Sequence, residues 1–112
     1  MQLNEYQLLA QRTSNKELSK DEHLFNGLYG LAGESGECCD LAKKHYFQDG
    51  RNIYADLIDE LGDVLWYVVE IASALDVTLE YVAQHNIDKL KKRYPDGFNA
   101  DRSLHREGGN LS

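Results

Sequence analysis

The chain has 112 residues, of which 42% are hydrophobic and 28% charged, with a formal net charge of −7. This length suits one domain with a modest core, and a helical bundle of that size often completes its burial by assembling, so a homo-oligomer is expected. The acidic balance and the lack of a basic stripe argue against nucleic acid as a partner, although a metal and a few local cations can still hold a small polyanion.

Leu3 to Arg12 reads as a first short helix with Asn4 as its cap and Leu3, Tyr6, Leu8 and Leu9 available for packing. Tyr6 and Gln7 suit either packing or ligand contact, and packing is favoured on general grounds. Thr13 to Asp21 is a polar connector.

A second helix is expected from Asp21 or Glu22 to about Phe47, with an apolar arc of Leu24, Leu28, Leu31, Cys38, Ala42 and Tyr46. Glu34 and Glu37 border this arc, and their spacing of three points both carboxylates one way. Gly27, Gly30, Gly33 and Gly36 each cost a helix roughly 1 kcal/mol relative to Ala, which suggests a tight crossing or a ligand. Lys44 is nearly in line with Glu37 and could reach a phosphate, while Lys43 better fits favourable charge at a helix C-terminus. His45 has no metal-ligand partner at helical spacing, so a solvent-facing or hydrogen-bonded role is expected. The only cysteines, Cys38 and Cys39, are adjacent, closer than an ordinary disulfide requires, and should be reduced.

Gln48 to Asn52 reads as a turn, with Gly50 as breaker and Asn52 as cap of a third helix ending near Leu75 or Asp76. On that helix Asp56, Glu60, Asp63, Tyr67 and Glu70 fall in a stripe roughly 80° wide. It borders an apolar arc of Ile53, Leu57, Leu61, Val64, Leu65, Val68, Ile71, Ala72 and Leu75. A solvated face would sit opposite the core and mix lysines with acids, whereas this stripe holds no base. Trp66 could stack on a base or be a partly buried interface residue. Tyr67, one turn beyond Asp63, is a candidate for a polar contact.

Thr78 caps a fourth helix running to Lys92, packed through Leu79, Val82, Ala83, Asn86, Ile87 and Leu90. Asn86, Lys89 and Arg93 share one side of it. Lys89 and Arg93 are donors of the kind a triphosphate needs, although the neighbouring Lys91 and Lys92 suit a helix end. Tyr94-Pro95-Asp96-Gly97-Phe98 stops the helix, which places one domain over residues 1–98 and a flexible tail over 99–112. The longest apolar run, Val64 to Val69, cannot span a bilayer, and no apolar leader opens the chain, so a cytoplasmic protein without membrane contact is expected.

A single Glu-x-x-Glu or Glu-x-x-Asp is common on helix surfaces. Two such pairs, both beside apolar faces and with small residues around the first, carry more weight. Four carboxylates meeting at the edge of a core repel each other and lose hydration unless a cation joins them. Oxygen-only ligation suits Mg²⁺ or Mn²⁺, which keep waters and take substrate phosphates.

Gly30-Leu31-Ala32-Gly33-Glu34-Ser35-Gly36-Glu37, followed by Asp59-Glu60-Leu61-Gly62-Asp63-Val64-Leu65-Trp66-Tyr67, resembles the MazG-like all-α nucleoside triphosphate pyrophosphohydrolases. Asn86 to Leu90 and Arg93 to Phe98 resemble the closing segment of that family. The resemblance implies an all-α, four-helix MazG-like bundle completed by oligomerisation to a dimer or tetramer. It further implies Mg²⁺-dependent hydrolysis of nucleoside triphosphates to monophosphate and pyrophosphate, in the service of cleaning the nucleotide pool. Glu34, Glu37, Glu60 and Asp63 match its metal-binding positions. Lys44, Asn86, Lys89 and Arg93 carry over as phosphate or sugar contacts, with Tyr67 beside them, and Ser103 to Glu107 resembles a tail in which Arg106 could reach substrate.

One acid not fully committed to metal, Glu37 or Glu34, could take the proton of an attacking water, and spacing does not say which. A helical di-iron protein would need Glu-x-x-His pairs, which His23, His45, His85 and His105 do not supply. A non-catalytic oligomeric module that binds nucleotide or protein stands as the alternative. Base and sugar preference depends on how Tyr6, Phe25, Trp66 and Tyr67 line a pocket.

Overall fold

A computed structural model describes residues 1–105, and they form five helices: α1 Leu3–Gln11, α2 Lys20–Phe47, α3 Tyr54–Ala74, α4 Leu79–Arg93 and α5 Ala100–Leu104. No strand is present among the described residues, so the fold is all-α. The frame is the α2–α3 hairpin. Gly27 faces Ile71, Gly30 faces Tyr67 and Glu34 meets Asp63, a descending order of partners that defines an antiparallel pair. Helices α1 and α4 pack at one end of this hairpin, where Ala10, Val69, Ala72 and Leu79 form the buried cluster under Tyr6, Trp66, Val68 and Val77.

Local signals set the helix ends. The side chains of Ser19 and Glu22 each accept from the other's backbone N–H in a capping box that starts α2 at Lys20, one or two residues earlier than expected. Thr78 caps α4 as expected, its hydroxyl accepting from the Tyr81 amide at 3.0 Å. Asn52 accepts from the Tyr54 amide, although Ile53 is the residue that caps α3. Asn4 does not cap α1, whose N-cap is Gln2; its amide instead exchanges two hydrogen bonds with Glu80 in the first turn of α4. Gln7 is likewise structural, donating to Ser73 and to the Val77 carbonyl and accepting from the Leu79 amide across the α3–α4 corner.

Two of the four glycines serve the crossing. A Cβ on Gly27 would lie 2.7 Å from Ile71, and one on Gly30 only 2.1 Å from the Tyr67 ring, whereas at Gly33 and Gly36 it would meet nothing within 4 Å. Gly30→Ala and Gly33→Ala share the same gain in helix propensity, so the difference between them isolates the clash with the ring. Urea unfolding is expected to place Gly30→Ala below Gly33→Ala by about 1–3 kcal/mol.

Beyond the α1/α4 end, much of the hairpin surface is exposed among the described residues. The radius of gyration is 17.1 Å, against about 13 Å for a compact domain of this length. A second apolar stripe of α3, which shares only Leu61 and Leu65 with the expected arc, is exposed: Tyr54, Ile58, Leu61 and Leu65 are 76%, 69%, 58% and 39% exposed at spacings of three and four. Leu79 of α4 is buried, but Tyr81, Val82, Ile87 and Leu90 are open. Residues 100–104, expected as tail, are helical because Asn99 accepts from the Arg102 amide. The remainder of that tail, with Arg106, lies outside the described residues.

Candidate active site

The two acidic pairs meet where α2 and α3 cross. Ligand oxygens of Glu34, Glu60 and Asp63 lie within 4.8 Å of one another. The antiparallel register opposes Glu34 to Glu60 and Asp63, one turn from the Gly30–Tyr67 contact that draws the helices together. One oxygen of Glu60, Oε2, is buried and receives no hydrogen bond. The Glu60 carboxyl titrates above the usual glutamate range, chiefly because Glu34 is close enough to share its proton. Burial and the charges of Glu34, Asp63 and Asp59 add to this.

Such a set of oxygens fits a hard divalent cation: an orphaned buried carboxylate oxygen and three converging negative charges lack what a cation provides. The nearby thiol is no competitor. Burial, followed by the charges of Glu60, Cys39 and Glu34, pushes the Cys38 thiol up, so it stays protonated and ligates poorly.

Two grooves flank the cluster. One, of about 360 Å³, is lined by Thr13, Glu34, Asp63, Trp66 and Tyr67. The other, of about 200 Å³, is lined by Glu37, Asp40, Leu41, Lys44, Asp56, Asp59 and Glu60. Glu37 thus stands beside the cluster rather than in it, facing the same groove as Lys44. Of the α4 donors, Asn86, Lys89 and Arg93 line neither groove within one chain. Arg93 holds Nε and Nη2 buried without a hydrogen-bond partner.

The aromatic residues divide between packing and groove. Trp66 donates its indole N–H to Thr13 Oγ1 at 2.8 Å and lies 3.2 Å from the Ala10 carbonyl, so it is the partly buried residue that joins α3 to α1. Its ring meets Tyr67 edge to face at 5.1 Å. Tyr6 packs on the core, where burial and then the charge of Asp63 raise its pKa. Phe25 lines neither groove. His45 is hydrogen-bonded, donating from Nδ1 to the Arg51 carbonyl at 2.7 Å.

Glu70, which helical angle groups with the acid stripe, belongs elsewhere. It is 2% exposed, and its oxygens accept from Ser14 Oγ at 2.5 Å, His23 Nδ1 at 3.1 Å and Gln11 Nε2 at 3.3 Å. Burial alone would raise its pKa; the donors Ser14, His23 and Gln11, with the His23 charge, outweigh that and lower it. A depressed folded pKa adds stability above the unfolded value, about 4.3, and loses it as pH falls towards the folded one. Urea midpoints are therefore expected to drop more steeply below pH ~4.3 in the wild type than in Glu70→Gln.

Sequence reasoning missed three polar groove residues, Thr13, Asp40 and Asp59. Asp40 and Asp59 carried a signal, since Asp40 is three residues from Glu37 and Asp59 precedes Glu60. Thr13 carried none, because a connector residue reaches the groove only through the tertiary fold.

Residues 26–98 match the family model of the MazG nucleotide pyrophosphohydrolase domain. The Gene 37 protein of Mycobacterium phage L5 is 37% identical over 106 residues, an alignment covering 87% of this chain and 92% of that one. No solved structure gives a significant match. The matched span takes in both acid-bearing helices from Asn26 onward, the glycines of their crossing and all of α4. This chain belongs to the MazG nucleotide pyrophosphohydrolase family.

Proposed function

We propose that the protein is a Mg²⁺-dependent nucleoside triphosphate pyrophosphohydrolase, releasing pyrophosphate and a nucleoside monophosphate. The convergence of Glu34, Glu60 and Asp63, with an orphaned oxygen on Glu60, is the observation that carries this. Those three residues would hold the cation, which when bound neutralises phosphate charge and acidifies a water. Glu37 stands outside the trio and is the acid we assign as proton acceptor, because a carboxylate free of the cation keeps its basicity. Lys44, on the same groove, offers its ammonium to the phosphates. On the other side, Trp66 and Tyr67 offer ring surface beside Glu34 and Asp63 for the nucleoside.

One chain supplies few cations here, and the exposed hairpin surface supports assembly as a homodimer or homotetramer. In that assembly Asn86, Lys89 and Arg93 would approach the acids of a second copy and bring the cations that one chain lacks at its grooves. We place the reaction in the cytoplasm, acting on deoxy or non-standard triphosphates, in keeping with free Cys38 and Cys39. Among the described residues, no helix is long and apolar enough to cross a membrane.

Pyrophosphate release from a panel of ribo- and deoxynucleoside triphosphates, with Mg²⁺ or with chelator, tests this reading. Mg²⁺-dependent release from at least one member is expected, and the ratios across bases and sugars give the preference. Binding without release from any of them would leave the alternative of a nucleotide-binding module.

A further inference from the structure

The buried carboxylate of Glu70 plays no part in the scheme above, and a small core has an inexpensive alternative to it in Leu. Ionised groups are kept in such places when donors satisfy them, and their removal leaves those donors unpaired. The three donors to Glu70 come from α1 (Gln11), from the connector (Ser14) and from α2 (His23). One turn earlier on α3, Trp66 holds the connector residue Thr13, which lines the groove beside Glu34 and Asp63. Two successive turns of α3 thus grip adjacent connector residues, one through a buried anion and one through an indole.

We propose that Glu70 is a positioning residue: through Ser14 and His23 it fixes the connector, so that Thr13 and Trp66 form one rigid wall of the groove. Glu70 does not touch the nucleotide; it sets where the wall stands. The proposal rests on the reading of that groove as the nucleoside side of the site, but the wall can be observed without turnover. Trp66 is the only tryptophan of the chain, and its N–H bond to Thr13 makes its emission a reporter of the connector.

The test compares Ser14→Ala and Glu70→Gln with the wild type at 25 °C, after circular dichroism has shown each variant folded. Ser14→Ala removes the shortest tether, so Trp66 emission is expected to move to longer wavelength and acrylamide quenching to steepen. With Mg²⁺ and the triphosphate of the panel that the wild type hydrolyses fastest, KM is expected to rise about fivefold while kcat changes little. Glu70→Gln is expected to restore near wild-type emission, because its amide oxygen still accepts from Ser14 and its N–H group can donate to His23 in the other ring tautomer. Ser14→Ala with a lowered melting temperature but unchanged Trp66 emission, quenching and KM would overturn the proposal, leaving only a structural role. Should the wild type hydrolyse no member of the nucleotide panel, the pyrophosphohydrolase reading fails while the emission comparison still decides the wall.

Discussion

Glu60→Gln is expected to lower pyrophosphate release roughly 100- to 1000-fold while making the metal-free protein more stable. The loss follows from removing the acid that lines the Glu37–Lys44 groove and would supply one of three cation ligands. The gain follows from the electrostatics of the empty cluster. Because the folded pKa of Glu60 is raised, its ionisation opposes folding. Stability falls as pH rises from the unfolded carboxylate value, about 4.3, towards the folded one. A neutral glutamine removes that penalty at every pH. Thermal melts in chelator at pH 7 are expected to place Glu60→Gln above the wild type. Adding Mg²⁺ raises the wild-type midpoint by mass action and narrows or reverses the gap. A variant that lost activity merely through misfolding would melt lower in both conditions.

Ile58→Lys is expected to break the assembly. In an isolated chain of net charge −7, a lysine at a position 69% exposed would be neutral or mildly helpful. In an oligomer that covers Tyr54, Ile58, Leu61 and Leu65, the same change buries a charge against an apolar stripe and costs about 2 kcal/mol or more. Light scattering on the wild type is expected to give two or four times 12.8 kDa. Ile58→Lys should give a smaller species, or one that dissociates at higher protein concentration than the wild type. A wild-type monomer, or an unchanged mass for the variant, would remove the assembly from the proposal.

The acid pairs were legible in the sequence because spacing of three on a helix fixes a shared direction. That Glu34, Glu60 and Asp63 meet required more: the register of the hairpin, which Gly27 and Gly30 set by letting α3 approach. Glu70 shows where angle alone misleads. An angular stripe says which side chains point one way, not what stands opposite them, and at Glu70 what stands opposite is Ser14, His23 and Gln11 rather than the other acids. Asn4 misled for a similar reason, since its best partner belonged to α4, 76 residues away. The apolar arc of α3 was legible from its period, but the exposed stripe beside it, with Tyr54 and Ile58, was not, and among the described residues it has little cover. Thr13 was beyond reach, because a connector carries no period from which a direction could be read.

Binding of Mn²⁺ in the presence of a non-hydrolysable triphosphate, followed by the electron paramagnetic resonance of the free ion, probes the meeting of these acids most directly. The wild type is expected to take up the ion, and Glu34→Gln and Asp63→Asn, one from each helix, are each expected to bind it at least about tenfold more weakly. Equal Mn²⁺ uptake by the wild type and both variants would show that the two helices do not share a cation.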